Sequence, residues 1–128
     1  MSHLFAYGTL QHPLILSSIL GREPESVPVR LQGYARYRIR DEDFPGIVPD
    51  ESSEVDGSVF LDIQDEEWVM LVRYESELYV RELVSIERRD GNAQKAFAYI
   101  IPPENRHALT TELWDLNHYH PTHPPAAE

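Results

Sequence analysis

Residues 29–40 alternate in character over twelve positions without a break. Val29, Leu31, Gly33, Ala35, Tyr37 and Ile39 fall on one side, and Arg30, Gln32, Tyr34, Arg36, Arg38 and Arg40 on the other. A period of two demands an extended strand with one face buried and one face wet. Twelve extended residues span roughly 40 Å, which is more than a flat edge of a small domain accommodates. Gly33 near the middle marks a bulge or bend at which the strand can wrap round a barrel.

The rest of the chain supplies the partners of that strand. Residues 3–7 read as a short buried strand closed by Gly8, and Val55, Gly57, Val59 and Leu61 resume the alternation. Pro13 opens a helix that runs to Leu20, with Gly21 placed to cap it. A second helix is expected over residues 65–74, with Asp65, Glu66 and Glu67 in its first turn and Trp68, Leu71 and Val72 on one face. Residues 79–88 alternate again, Asp90-Gly91-Asn92 makes a hairpin turn, and residues 95–101 return as the partner strand. Residues 41–53, with Pro45, Gly46 and Pro49, are expected to be mostly loop, and residues 104–116 a weakly amphipathic last helix. One domain over residues 1–116 follows, with a His/Pro-rich tail over 117–128. The order of elements fits an α+β fold, a small mixed β-barrel with flanking helices.

A formal net charge of -11 argues against nucleic-acid backbones and anionic membrane surfaces as partners. No apolar run reaches the length of a membrane span, and the first residues lack the pattern of a signal peptide. The absence of cysteine rules out disulfides and thiolate metal sites and makes a cytoplasmic location the default expectation. His118, His120 and His123 sit among prolines with no rigid scaffold, so a solvated cluster is expected there and not a metal site. His12, Ser17 and Ser18 show no triad logic.

Three short segments carry chemistry. Tyr7-Gly8-Thr9-Leu10 is a strand end running through glycine towards a helix, a place where backbone N–H groups converge and favour an anion. Taken alone it reads first as a plain turn that ends the strand. Phe44-Pro45-Gly46-Ile47 is an apolar patch in an acidic stretch. Leu71, Glu75, Tyr79 and Arg81 follow one another across the exit of the second helix and the start of the next strand. Taken alone, Glu75 is a solvated helix-end glutamate, and Arg81 is expected to pair with an acid.

In order and spacing these segments resemble the γ-glutamylcyclotransferase superfamily, which includes γ-glutamylamine cyclotransferases and AIG2-like plant proteins, and the resemblance spans residues 4–101. It departs at Val72, where the family usually has Asp, and at Ser76, where it usually has Gly. The resemblance implies an enzyme that closes a γ-glutamyl amine or peptide to 5-oxoproline and frees the amine. The substrate's α-amine attacks its own γ-carbonyl, so neither cofactor, metal nor protein nucleophile is needed. Glu75 is the implied general acid and base, with a carboxyl pKa raised by the helix C-terminus and by a pocket of Tyr7, Phe44 and Tyr79. Tyr7, Gly8, Thr9, Leu10, Phe44, Pro45, Gly46 and Tyr79 are the implied substrate-binding residues. Val72 and Ser76 keep a non-catalytic ligand-binding or interaction module of the same fold open as an alternative. The same reaction as a tailoring step on a biosynthetic intermediate is a remoter one.

Overall fold

A computed structural model describes residues 2–42, 44–74 and 77–114. Six strands and two helices make up the core of the architecture: β1 (Ser2–Ala6), α1 (Pro13–Leu20), β2 (Ser26–Ile39), β3 (Pro45–Ile63), α2 (Asp65–Tyr74), β4 (Val80–Arg88), β5 (Ala93–Ile100) and β6 (Leu109–Leu113). The strand order is β3-β1-β5-β4-β2-β6, and a further β2–β3 pairing closes the first five into a mixed barrel. β1 lies parallel to β5, with Leu4 level with Phe97, while β1–β3, β2–β3 and β4–β5 are antiparallel. Closure leaves β1 with a neighbour on each side and no free edge.

Alternation along β1 divides the interior in two. Phe5 and Tyr7 point into the barrel with Val29, Leu31, Ile47, Val55, Val59, Val84, Ile86, Ala96, Ala98 and Ile100. Leu4 and Ala6 point outwards, under α1 and α2, with Leu16, Leu20, Trp68, Leu71 and Ile101. The two helices therefore cover one flank of the barrel with the apolar faces their sequences prescribe. α1 starts with Pro13 at its first turn, accepts a bond at His12 Nδ1 from the Leu14 N–H, and ends on Gly21 at φ 75°. At α2 the expected face is corrected: Trp68 and Leu71 are buried, but Val72 is 58% exposed. Glu67 takes its place inside, and the Arg22 guanidinium donates to it at 2.6 Å and 2.7 Å.

Gly33 has φ 84°, and the β2–β3 register breaks between Gln32 and Tyr34. The bend occurs where expected, but it also moves the alternation by one residue. Tyr34 joins the barrel interior with Val29 and Leu31, whereas Ile39 goes to the outer cluster.

Two expected elements are replaced. Residues 45–53 are strand, part of the 19-residue β3, and not loop. Pro45 opens that strand and Pro49 sits beside the bulge, two positions at which a missing N–H costs no ladder bond. Asp50 organises the extra residues opposite Gly33 by accepting from the Ser52 N–H and from the hydroxyls of Ser52 and Ser53. The last helix is also replaced among the described residues: residues 103–108 form a 3₁₀ segment and residues 109–113 are β6, paired to β2 through Tyr37–Leu113 and Ile39–Leu109. Among the described residues no helix is long and apolar enough to cross a membrane. The tail histidines lie outside the described residues.

Candidate active site

β1 delivers Tyr7 to one end of the barrel, where its ring lies 6.1 Å from that of Phe5 and its hydroxyl donates to the Tyr99 carbonyl of β5. The chain then turns at Gly8 into a 3₁₀ segment over Thr9–Gln11. The internal bonds of that segment begin with Gln11 N–H to the Gly8 carbonyl at 3.1 Å, so the N–H groups of Gly8, Thr9 and Leu10 head the turn. Thr9 and Leu10 are fully buried.

The second segment arrives from β3. Phe44 is buried in the outer cluster with Leu10, Tyr79 and Ile101. Pro45 offers its carbonyl to the Tyr79 hydroxyl at 2.6 Å. Gly46 has a steric reason to be glycine: a Cβ there would stand 2.4 Å from Ile101 Cγ1. Ile47 accepts from the Ile101 N–H at 3.2 Å.

The third segment leaves α2 at Tyr74, which is packed against the outer cluster together with Leu78. Leu78 is fastened by Asn105, whose Nδ2 donates to its carbonyl at 3.0 Å. Tyr79 leads into β4, where Val80 pairs with Ile100 and Arg81 with Tyr99. Glu75 and Ser76 lie outside the described residues.

Residues 99–101 thus join the three segments at one end of the barrel. Tyr99 receives Tyr7, Ile100 pairs with Val80, and Ile101 packs on Gly46 and bonds to Ile47. Tyr7 and Tyr79 use their hydroxyls to tie backbone to backbone across this junction. Their rings divide between the two interiors, Tyr7 inside the barrel and Tyr79 outside it with Phe44.

Arg81 departs from the acid pairing expected of it. Its guanidinium lies over the rings of Trp68 at 4.7 Å and Phe97 at 5.0 Å, clamping α2 to β5. Sequence reasoning missed Arg36, because its face could be read only once the shift at Gly33 was known. Arg36 Nη1 donates to the Tyr7 carbonyl at 2.6 Å and to the Asp56 carbonyl at 3.1 Å, and its Nε donates to the Trp114 carbonyl at 3.1 Å. An open groove of about 470 Å³ lined by Arg30, Asp56 and Arg88 draws no wall from the three segments and is not the candidate site.

Comparison with known proteins agrees with this architecture. The family model described as "Gamma-glutamyl cyclotransferase, AIG2-like" matches residues 4–116. AIG2-like protein A of Arabidopsis thaliana is 34% identical over 75% of the chain. The chain spans 58%, 51% and 61% of the length of AIG2-like proteins A, C and B from that plant. The solution structure of another Arabidopsis thaliana protein superimposes with a TM-score of 0.78 at 30% identity, covering 91% of this chain and 78% of that one. A structure described as a gamma-glutamyl cyclotransferase shares the fold, with a TM-score of 0.62 at 19% identity over 79% of this chain and 66% of that one. The chain belongs to the gamma-glutamyl cyclotransferase, AIG2-like family.

Proposed function

We propose that the protein converts a small γ-glutamyl amine or γ-glutamyl peptide to 5-oxoproline and the free amine. The observation that carries this reading is the junction at residues 99–101, which gathers the strand-end turn, the Phe44–Gly46 segment and the flanks of Glu75 at one end of the barrel. The substrate's α-amine attacks its own γ-carbonyl, a new C–N bond closes the five-membered ring, and the original amide C–N bond breaks. Because nucleophile and electrophile are tethered, holding one rotamer removes much of the entropic barrier. Glu75 takes the proton of the α-ammonium and passes it to the departing nitrogen, then takes the second proton that the ring nitrogen sheds on closure, and the amine leaves as its ammonium. The N–H groups of Gly8, Thr9 and Leu10 receive the negative charge of the α-carboxylate or of the developing oxyanion. Phe44, Pro45, Gly46 and Tyr79 flank the substrate on the outer side of the barrel wall, and Tyr7 braces that wall from within. Val72, whose mismatch with the family pattern motivates the non-catalytic alternative, faces solvent and lends it no weight.

A panel of γ-glutamyl amines and dipeptides is incubated with the purified protein and 5-oxoproline is measured. Release by the natural chain and a loss of at least a hundredfold in Glu75→Gln are expected, within the range that general acid–base groups contribute. Equal turnover by Glu75→Gln removes Glu75 from the mechanism. A ligand bound and recovered unchanged after long incubation rejects the enzyme reading in favour of the binding module.

A further inference from the structure

The guanidinium of Arg36 reaches across from β2 to Tyr7, the residue that follows β1. Its bond is to the Tyr7 carbonyl, at 2.6 Å, and that carbonyl belongs to the same planar peptide unit as the Gly8 N–H. Fixing the oxygen of a planar, trans unit fixes the direction of its N–H. A cation hydrogen-bonded to the oxygen also draws electron density from the amide and makes its N–H a stronger donor. From this geometry we infer that Arg36 is a positioning residue that aims and polarises the Gly8 N–H towards bound anionic charge. The inference rests on the function proposed above and deepens it.

The placement of Arg36 is itself held from several sides. Nη1 also donates to the Asp56 carbonyl, Nε donates to the Trp114 carbonyl, and the guanidinium carbon lies 5.5 Å from the Trp114 ring centroid. Lysine, with a single ammonium on a flexible stem, cannot span these oxygens in one plane. The shift of alternation at Gly33 is what changes the face of β2 on which Arg36 lies. Without it the side chain would share a face with Arg30, whose ion pairs with Glu54 and Asp56 lie at 3.5 Å on the solvent side.

The test has two readouts on Arg36→Lys and Arg36→Gln, with Arg88→Gln, at the far hairpin, as a control for lost charge. The first is the ¹⁵N and ¹H shift of the Gly8 amide, which reports hydrogen bonding to the Tyr7 carbonyl and needs no substrate. The second is kcat/KM for 5-oxoproline release. Arg36→Gln is expected to move the Gly8 amide and lower kcat/KM by about tenfold or more, the size of one charge-assisted hydrogen bond. Arg36→Lys should recover part of both, and Arg88→Gln should leave both in place. An unmoved Gly8 amide overturns the inference, and so does a moved amide with unchanged kcat/KM. Should the natural chain release no 5-oxoproline from any substrate, the enzyme reading fails by itself. The aiming role is then decided by the amide shift in Arg36→Lys together with the binding of L-glutamate, which should weaken with it. If Arg36→Gln does not fold, Arg36→Lys carries the comparison.

Discussion

Glu67→Gln isolates one electrostatic contact whose value can be worked from its atoms. Glu67 Oε2 accepts from Arg22 Nε at 2.6 Å, and Oε1 accepts from Arg22 Nη2 at 2.7 Å and from the Gln64 N–H at 2.9 Å. An amide with its oxygen in the Oε1 position keeps the last two bonds. Its NH₂ group then faces the Arg22 Nε–H, donor against donor, and one charge-assisted bond is lost. Such a bond is worth about 1.5–3 kcal/mol. The Arg22 side chain is 42% exposed, so water repairs its side of the loss and lowers the expected cost to about 1–2 kcal/mol. For a domain of this size that is a fall of roughly 4–8 °C in Tm.

The pH dependence gives the sharper check. Hydrogen bonding from Arg22 holds the Glu67 carboxyl below its ordinary range, against the opposing effect of burial. A carboxyl whose folded value is depressed contributes fully above the unfolded value, about 4.3, and loses that contribution as pH falls through the folded one. Urea unfolding of both proteins at pH 7, 5, 4 and 3 should show a gap that is constant from 7 to 5 and then shrinks. Once protonated, Glu67 offers a single carbonyl oxygen just as glutamine does. A gap unchanged from pH 7 to pH 3 would refute the electrostatic account and leave only a packing defect.

Two other substitutions test the framework of the site. In Gly57→Ala the new Cβ would lie 2.4 Å from the Ala6 carbonyl oxygen and 2.7 Å from the Phe5 ring, and backbone cannot yield as a flexible side chain does. A loss of about 2–3 kcal/mol in urea unfolding is expected, and a loss under 0.5 kcal/mol would show that β1 and β3 separate easily. Tyr79→Phe removes the hydroxyl bond to the Pro45 carbonyl and should cost about 1–2 kcal/mol, with faster amide exchange at Gly46 and Ile47. Unaltered exchange there would mean that the bond does not hold the segment.

Much of this molecule is legible in its sequence where local signals and tertiary demands agree. Both helices, the Asp90-Gly91-Asn92 turn with Gly91 at φ 86°, the bend at Gly33 and the closed mixed barrel all follow from residue patterns. The two replaced elements share one cause, long-range pairing that outweighs local punctuation. Pro45, Gly46 and Pro49 are loop formers, yet each occupies a strand position opposite β2 that tolerates it. Leu109 and Leu113 sit four apart as on a helix face, yet both are strand partners of β2. At the candidate site the three segments were readable as separate motifs. Arg36 was not, since a side chain's face beyond a bulge depends on a register that only the partner strand sets.

The position of β1 between β3 and β5 has a consequence for biosynthesis. β1 is made before both of its neighbours and must wait for Phe97, almost the length of the domain later, before the second of them exists. Its turn, the cradle proposed for substrate charge, is therefore made before the strands that flank it and ordered only after them. A nascent or locally opened chain can hold a formed β4–β5 hairpin and two formed helices and still have no working cavity. If the proposed site is the working one, competence arrives only with ring closure, and binding of a γ-glutamyl ligand would double as a report that the whole barrel has shut.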